Sequence, residues 1–279
     1  MRIGKLLFLC IYLEYTFAFV SITSIQVSIM IRKERNLKMH PSEAQGFIFD
    51  IDGTIADSWK LGFDATQVVL ENNNIPVITE ELYHECTKYS TPIRLAYHAG
   101  LEPSDEQFSI LGEKLAKEFD DLYVGLVTTE TAGFYKGIDE LLYDIANIDT
   151  NVRIAALTNA CVAYAHAVLK VNCPKISNGS QNNDGIYEKF VSIHGADTVP
   201  QPKPKPDGLY KCCEEIGLKP HQCVYIGDSP SDGVAAKAAG CLAIGVLYGS
   251  HSMESLKNAP FDYLCADVDE LKRLLIARQ

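Results

Sequence analysis

Short, continuously apolar runs alternate with helical patterns along most of the chain, and this alternation constrains the fold more than any other feature. The runs lack the polar–apolar alternation of a half-exposed strand, which indicates strands covered on both faces. The predicted strands are 46–51, 153–157, 190–194, 223–226, 242–246 and 263–266. The predicted helices between them are 138–145, 162–171, 208–216, 232–239 and 268–277. This order predicts an α/β fold with a doubly wound, Rossmann-like parallel sheet.

Residues 59–134 break the alternation after the first strand. This segment is rich in helical patterns and poor in strand signals. Its predicted helices are 61–70, 80–88, 93–99 and 105–122. We therefore expect residues 59–134 to form an inserted α-helical cap, and residues 41–58 and 135–279 to form the α/β core. Residues 178–185 are rich in turn formers and predict a surface loop.

Residues 1–40 differ from the rest and are predicted to be a targeting leader or a disordered segment. Two basic residues precede an apolar stretch, 6–20, which is typical of a signal peptide. A basic, acid-poor stretch follows, so the segment resembles the two-part leaders that direct proteins to complex plastids. Two alternatives remain open: Met39 is the true start and the protein is cytoplasmic, or residues 6–31 are a membrane anchor.

The net charge of −11 is unevenly distributed. Residues 1–40 contain six Lys and Arg and two Glu, so the remaining chain carries a net charge of −15. An acidic body repels nucleic acid and anionic lipid, and we expect neither as a stable partner once the leader is removed. None of the nine cysteines forms a Cys-x-x-Cys pair, which favours free thiols in a reducing compartment over a zinc site or a disulfide frame.

Pairs of carboxylates follow two of the predicted strands. Asp50 and Asp52 end the first strand, and alternation along a strand would place both side chains on one side. Asp228 and Asp232 follow the fourth strand. The carboxyl ends of parallel strands are where ligands bind in such sheets. Close carboxylates need a cation or a shared proton, and oxygen ligands suit Mg²⁺. Each pair alone also fits a strand followed by a capped helix.

Two further segments offer groups that bind phosphate. Thr158 and Asn159 end the second strand with a hydroxyl and an amide, which can bond a phosphoryl oxygen or simply cap the next helix. Lys203 and Lys205 lie in a segment that two prolines stiffen. A rigidly held lysine can neutralise a carboxylate cluster, or it can be a solvated loop residue. Lys203 is the better candidate for the site, and we expect Lys205 to face solvent.

Together these segments resemble the four motifs of the haloacid dehalogenase-like (HAD) superfamily. The matching residues are 50–54, 158–159, 203 and 228–232, and residues 59–134 stand where that family carries its helical cap. The Asp-x-Asp-Gly-Thr-x-x-Asp-Ser start and the Lys-Pro-x-Pro-Asp segment are similar to those of phosphoglycolate phosphatases and β-phosphoglucomutases. The resemblance runs from about Gln45 to the end of the chain and does not include the leader.

The resemblance implies a magnesium-dependent phosphatase. Asp50 would attack phosphorus and form an aspartyl phosphate, and Asp52 would protonate the leaving oxygen and then activate water. Thr158, Asn159 and Lys203 would hold the transferring oxygens. The implied Mg²⁺ ligands are Asp50, the Asp52 carbonyl, Asp228 and, through a water, Asp232. Dehalogenases of the family lack an acid at the position of Asp52, so its presence favours phosphoryl transfer.

The substrate and the reaction are less constrained. We expect a small phosphorylated metabolite, with 2-phosphoglycolate as one candidate. Arg94 in the predicted cap either grips a carboxylate or phosphate of the substrate, or is a surface or internally paired arginine. His98 and Lys136 are similarly undecided. A phosphosugar mutase of the β-phosphoglucomutase type uses the same core and is not excluded. A catalytically silent binding protein should lack a motif residue, and none is missing.

Overall fold

The structure, a computed structural model, describes residues 39–173 and 185–276. Most of the predicted leader (residues 1–38) and most of the predicted loop (residues 178–184) lie outside the described residues. Residues Pro41–Gln279 form one compact unit. In the two described ranges, no helix has the length and apolarity that a membrane crossing requires. The cysteines in these ranges are free and buried, which agrees with the expectation of free thiols.

A six-stranded sheet lies at the centre of this unit. In spatial order its strands are β5 (Phe190–His194), β4 (Arg153–Leu157), β1 (Gly46–Phe49), β6 (Cys223–Gly227), β7 (Leu242–Val246) and β8 (Tyr263–Cys265). Every neighbouring pair is parallel. Strands β1, β6 and β7 are buried at every residue, which explains their continuously apolar sequences. The prediction of an α/β fold with a parallel sheet is confirmed.

Residues 59–134 contain helices at the predicted places, and we refer to them as the inserted helical segment. The helices are α1 (Trp59–Asn72), α2 (Glu80–Cys86), α3 (Thr91–His98) and α4 (Phe108–Gly125). Local signals set two of their starts. The Thr79 side chain accepts a hydrogen bond from the amide of Leu82 at the start of α2, and a proline lies in the first turn of α3. The division of the chain into a cap and a core stays a prediction.

Helices follow the strands of the central sheet as the alternating pattern predicted. They are α5 (Ile138–Ala146), α6 (Val162–Asn172), α7 (Asp207–Glu215), α8 (Pro230–Ala239), α9 (Met253–Lys257) and α10 (Val268–Ile276). Short 3-10 helices lie at Pro41–Glu43, Ile186–Lys189, Ala196–Thr198 and Pro220–Gln222. Helices α7 and α8 share a buried apolar cluster with β1, β4 and β6. Helix α9 was missed because five residues are too few for a helical period to show.

A second, two-stranded sheet lies where the inserted helical segment leaves and rejoins the chain. Strand β2 (Ala56–Asp57) pairs antiparallel with β3 (Gly133–Phe134), and the Tyr135 amide donates to the Ile55 carbonyl at 3.0 Å. Sequence analysis missed both strands, since two residues carry no periodic signal. The pairing holds the two ends of the inserted helical segment together, close to the end of β1.

Candidate active site

The carboxyl ends of three neighbouring strands bring the predicted residues together. Asp50 directly follows β1, Thr158 directly follows β4 and Asp228 directly follows β6. Since β4 and β6 flank β1 in a parallel sheet, these residues lie at the same edge of the sheet. They line a cavity of about 90 Å³ together with residues of the inserted helical segment. This cavity is the candidate active site.

Lys203 is a buried cation surrounded by oxygen atoms. Its Nζ donates to Asp50 Oδ1 at 2.7 Å, to Asp232 Oδ1 at 2.8 Å and to the Tyr225 hydroxyl at 2.9 Å. Burial disfavours the charged ammonium, but the two carboxylates outweigh burial and raise the pKa of Lys203. Lys203 is therefore a fixed positive charge beside Asp50. Lys205 is exposed, as the sequence predicts.

Asp50 lies where its ionised form is poorly stabilised by the protein alone. Burial raises the pKa of the Asp50 carboxyl well above its usual value, and the Lys203 ammonium opposes this shift. The carboxylates of Asp232, Asp228 and Asp52 raise it further, because like charges repel. One ammonium faces several carboxylates, so negative charge is in excess. A bound divalent cation would offset this excess.

Asp50, Asp228 and Asp232 form a buried carboxylate cluster in which one oxygen of each lies within 4.8 Å of the others. Oxygen donors of this kind suit Mg²⁺. Two glycines allow the chain to pass close to the cluster. A Cβ on Gly53 would lie 2.2 Å from Asp228 Oδ2, and a Cβ on Gly249 would lie 2.5 Å from the same oxygen. The donor set therefore fits the divalent cation that the sequence resemblance implies.

The protein already engages both oxygens of Asp232. Oδ1 accepts hydrogen bonds from Lys203 and from the Tyr225 hydroxyl, which lies 3.0 Å away. Oδ2 accepts one from the Ser229 amide at 2.9 Å. A carboxylate held in this way orients its neighbours through fixed contacts. This arrangement suits an indirect role for Asp232 at a cation better than direct ligation.

The Asp52 carboxylate faces the same cavity with a different set of partners, all of them hydroxyl groups. Its Oδ1 accepts hydrogen bonds from Ser58 at 2.5 Å, Tyr164 at 2.6 Å and Tyr123 at 3.1 Å. Its Oδ2 accepts one from Thr158 at 3.2 Å. Burial, and then the charge of Asp52, raise the pKa of both tyrosines well above the usual value. Both phenols therefore remain hydrogen-bond donors.

Asp50 and Asp52 both line the cavity. Strand β1 ends at Phe49, but the Asp50 amide still donates to the Ile226 carbonyl of β6 at 2.9 Å. The turn that follows is closed by the amides of residues 54–56, which all donate to the Ile51 carbonyl. The carboxylates of the two acids contact different partners.

Thr158 and Asn159 both line the cavity, but their side chains have different contacts. Thr158 Oγ1 donates to Asp52 and accepts a hydrogen bond from the Ala160 amide at 3.0 Å. The Asn159 side chain pairs with the backbone of Lys203: it donates to the carbonyl and accepts from the amide, both at 3.0 Å. This pairing uses one of the two N–H groups of the Asn159 amide and positions the segment that carries Lys203. The expected contact of Asn159 with a phosphate stays a prediction.

Arg94 is buried in the wall that the inserted helical segment contributes to the cavity. Its Nη1 donates to Thr66 Oγ1 at 2.9 Å, and its guanidinium lies over the rings of Tyr83 and Phe119, at 5.2 Å and 4.7 Å from the ring centres. Among the described residues, no carboxylate makes an ion pair with it. The alternative of a surface arginine is therefore excluded. An arginine paired within the inserted helical segment, and one that also binds an anionic ligand, both agree with these contacts.

Sequence analysis missed several residues that line the cavity or contact Asp52. Tyr123 and Tyr164 lie in helical, apolar stretches where a tyrosine is usually an ordinary core residue, and no short motif marks them. His251 lies in the loop after β7 and also lines the cavity. Of the two undecided residues, His98 is buried outside the cavity lining and Lys136 is exposed.

Comparisons with known proteins agree with this geometry. The model of the haloacid dehalogenase-like hydrolase family matches residues 47–246. A phosphoglycolate phosphatase of Haemophilus influenzae (strain 86-028NP) is 28% identical over 228 residues, covering 81% of this chain and 96% of that protein. The phosphoglycolate phosphatase of Escherichia coli (strain K12) is 24% identical over 249 residues, covering 82% of this chain and 91% of that protein.

Solved structures share the fold. A hydrolase from Pseudomonas syringae superposes with a TM-score of 0.63 at 26% identity, covering 82% of this chain and 95% of that one. CbbY from Rhodobacter sphaeroides, solved in complex with phosphate, superposes with a TM-score of 0.64 at 22% identity, covering 80% of this chain and 93% of that one. The family match runs from strand β1 to strand β7 and includes the inserted helical segment and the acidic cluster. The chain therefore belongs to the haloacid dehalogenase-like hydrolase family.

Proposed function

We propose that the protein is a Mg²⁺-dependent phosphatase that hydrolyses a small phosphomonoester through an aspartyl phosphate on Asp50. The observation that carries the proposal is the position of Asp50, 2.7 Å from Lys203 Nζ and clustered with the carboxylates of Asp228 and Asp232. A carboxylate nucleophile needs positive charge close by, because the phosphoryl group that it attacks is itself anionic. Asp52 faces the same cavity and supplies the second acid that such a reaction requires.

The proposed reaction has two steps. In the first, an oxygen of Asp50 bonds phosphorus while the ester bond breaks, and Asp52 gives a proton to the leaving oxygen. In the second, Asp52 takes a proton from the water that attacks the aspartyl phosphate. Thr158 and Lys203 hold the transferring oxygens and offset their charge. Mg²⁺ held by Asp50, the Asp52 carbonyl and Asp228 would further stabilise charge on the phosphoryl group.

The substrate is proposed to carry a second anionic group besides its phosphate. Arg94 lines the cavity as a buried cation whose contacts are a hydroxyl and aromatic rings, which leaves its charge for a ligand. A phosphorylated acid meets this condition. 2-Phosphoglycolate, after which the bacterial relatives are named, is such a molecule.

Phosphate release by the purified full-length chain tests the reaction. We expect release from a phosphorylated metabolite in the presence of Mg²⁺, loss of release in EDTA, and a covalent phosphate label on the protein. Asp50→Asn should lower kcat at least about 10³-fold, because it removes the nucleophile. Asp57→Asn is the matched control, since Asp57 is exposed outside the cavity, and it should stay within about twofold of wild type.

Three other outcomes of this experiment would each contradict the proposed function. Equal rates for the wild type and Asp50→Asn would overturn the proposed reaction. Rearrangement of a sugar phosphate without net phosphate release would identify a mutase. Saturable binding of a phosphorylated metabolite without turnover would identify a binding protein.

Arg94→Met tests the proposed class of substrate. The ratio kcat/KM for 2-phosphoglycolate should fall about 10²-fold, the size expected for a lost charge-assisted hydrogen bond, while that for ethyl phosphate, which has no second anion, should fall less than about threefold. Arg273→Met changes an exposed arginine on α10 and should alter neither ratio. Equal losses with both substrates would show that Arg94 does not recognise a second anion.

A further inference from the structure

The two oxygens of the Asp52 carboxylate have unequal surroundings. Oδ1 accepts hydrogen bonds from the hydroxyls of Ser58, Tyr123 and Tyr164, whereas Oδ2 accepts a single, longer one from Thr158. A carboxylate oxygen has two lone pairs, so three donors saturate Oδ1 as an acceptor. A proton on Oδ1 would displace at least one of these bonds. A proton on Oδ2 would displace none of them.

The two tyrosines reach Asp52 from different parts of the chain. Tyr123 lies on α4 of the inserted helical segment, and Tyr164 lies on α6, which follows β4. Their rings stack with centres 4.1 Å apart and planes at 17°, and both residues are buried. Phe119 packs on the outer side of Tyr123, with ring centres 4.7 Å apart. The stacked pair is therefore a rigid support with both hydroxyls on one oxygen atom.

We propose that Tyr123 and Tyr164 are positioning residues that hold Oδ1 of Asp52, so that Oδ2 is the atom that carries and transfers the proton. The inference rests on the proposed phosphatase function. Oδ2 bonds the hydroxyl of Thr158, a residue of the proposed phosphoryl-binding set, so it lies on the side of the carboxylate where the leaving oxygen and the attacking water must pass.

The proton balance of the reaction follows from this assignment. In the first step, the Oδ2–H bond of Asp52 breaks and its proton bonds the ester oxygen, while the ester P–O bond breaks and an Asp50–phosphorus bond forms. In the second step, Oδ2 takes a proton from water, while the water oxygen bonds phosphorus and the bond to Asp50 breaks. The ester and water become an alcohol and phosphate, and Asp52 ends protonated as it began.

Removing a tyrosine hydroxyl should therefore affect the steps that need proton transfer and spare the one that does not. An aryl ester such as p-nitrophenyl phosphate has a good leaving group that departs without protonation. An alkyl ester such as ethyl phosphate needs the proton, and hydrolysis of the aspartyl phosphate needs the base whichever ester formed it. A general loss of structure would slow all of these steps alike.

The experiment is rapid-mixing kinetics of Tyr164→Phe and Tyr123→Phe with both esters in Mg²⁺. With the aryl ester, we expect the burst of p-nitrophenol to keep its wild-type rate constant within about threefold, while steady-state turnover falls about 10²-fold for Tyr164→Phe. Tyr123→Phe should show the same pattern with a smaller loss, about 10-fold, because its hydrogen bond is longer. With the alkyl ester, single-turnover cleavage should slow by similar factors.

Several controls keep the result decisive. Tyr97→Phe removes a hydroxyl from the same segment, in a ring that packs on Tyr89 and Phe108, and should leave both phases within about twofold. If Tyr164→Phe does not fold, Tyr123→Phe alone decides. Wild-type steady-state turnover in the tyrosine variants, or a burst slowed as much as turnover, would overturn the inference. These results concern only the tyrosines, whereas an active Asp50→Asn would overturn the proposed function itself.

Discussion

The active site and the inserted helical segment differ in how many hydrogen-bond and ionic partners they give to their buried ionisable groups. In the site, the Lys203 ammonium has two carboxylates and a hydroxyl within 2.9 Å. In the inserted helical segment, both ring nitrogens of His98 and Oδ1 of Asp120 are buried, yet none of these atoms makes a hydrogen bond to a described residue. Both regions bury ionisable groups, but Lys203 makes ion pairs with Asp50 and Asp232, whereas His98 and Asp120 make none with the described residues.

The difference shows which groups depend on one another. A charge that stays ionised inside a protein needs compensating contacts, because burying an ion without them costs several kcal/mol. Lys203 has two carboxylates, and Arg94 has a hydroxyl and two aromatic rings. A histidine or an aspartic acid can remain unpaired when burial drives it to its neutral form. Removing a charge from the site should therefore lower the free energy of unfolding strongly. Removing an unpaired titratable group from the inserted helical segment should raise that free energy at the pH values where the group costs stability.

The largest expected effect is that of Lys203→Met. Methionine keeps most of the length and apolar character of lysine but leaves Asp50 and Asp232 without their shared cation. We expect the free energy of unfolding to fall by roughly 3–5 kcal/mol, the usual cost of breaking a buried ion pair from one side. Urea denaturation at neutral pH in EDTA measures this without any contribution from metal binding. Phosphatase activity should fall with it, at least about 10³-fold.

Lys205→Met is the control for this change. Lys205 lies two residues further along the same segment and is exposed, so its replacement should alter stability by less than about 0.5 kcal/mol. A loss below about 1 kcal/mol for Lys203→Met would remove the contrast between the two regions, since it would mean that the acids around Lys203 tolerate its absence.

The same contrast explains what could be predicted from the sequence. Asp50 and Asp228 each follow a strand whose apolar run is visible, and β4, β5 and β7 have the predicted bounds. Lys203 was found from its stiff, proline-flanked segment. The partners of Asp52 could not be predicted in this way. Tyr123 and Tyr164 lie 71 and 112 residues away from it, on helices whose sequences show only that one face is buried. Which tyrosine of such a face meets an acid depends on how the helices pack.

Other contacts between distant residues were also missed. The pairing of the Asn159 side chain with the backbone of Lys203 could not be predicted, because the partner lies 44 positions later in the chain. Strand β2 pairs with β3, which is formed by the last two residues of the inserted helical segment. Contacts between residues so far apart in the sequence depend on how the whole fold packs, whereas each strand-end motif is formed by residues that are close together in the sequence.

His98→Leu should make the protein less sensitive to acid. Burial, and then the charge of Arg94, lower the pKa of His98 from 6.5 to about 3. The folded protein therefore holds this ring neutral while the unfolded chain takes up a proton below pH 6.5. The stability contributed by the neutral ring is present above that pH and is lost as pH falls. Between pH 6.5 and pH 5 the wild type should lose about 2 kcal/mol that the variant keeps.

Urea denaturation across this pH range measures the difference in slope. His221→Gln is the control: His221 is exposed, so its replacement should leave the wild-type slope unchanged. Parallel pH profiles for the wild type and His98→Leu would show that the buried ring of His98 accepts a proton in the folded state. A group of the inserted helical segment would then stabilise the protonated ring. The two regions would differ less in how they pair buried charges than their contacts indicate.

The smallest expected effect is that of Asp120→Asn, and its sign is opposite to that of Lys203→Met. Burial raises the pKa of Asp120 from 3.8 to about 6; Asp197 and Asp121 add to the rise, while Cys161 and Arg94 oppose it. As pH rises from 3.8 to 6, the unfolded chain releases this proton and the folded protein retains it, so stability falls through that window and stays lower above it.

Asparagine cannot ionise, so the variant should avoid this loss, and the difference should vanish near pH 3.5. The full shift corresponds to about 3 kcal/mol at pH 8, and solvent screening at the partly exposed Asp120 should reduce the gain to about 1–2 kcal/mol. Asp121→Asn, on the exposed side of the same helix, should change stability by less than about 0.5 kcal/mol. A variant less stable than the wild type at pH 8 would mean that the Asp120 carboxylate is stabilised when ionised. Asp120 would then be a stabilised buried charge like Lys203. The contrast between the site and the inserted helical segment would then not hold for all of α4.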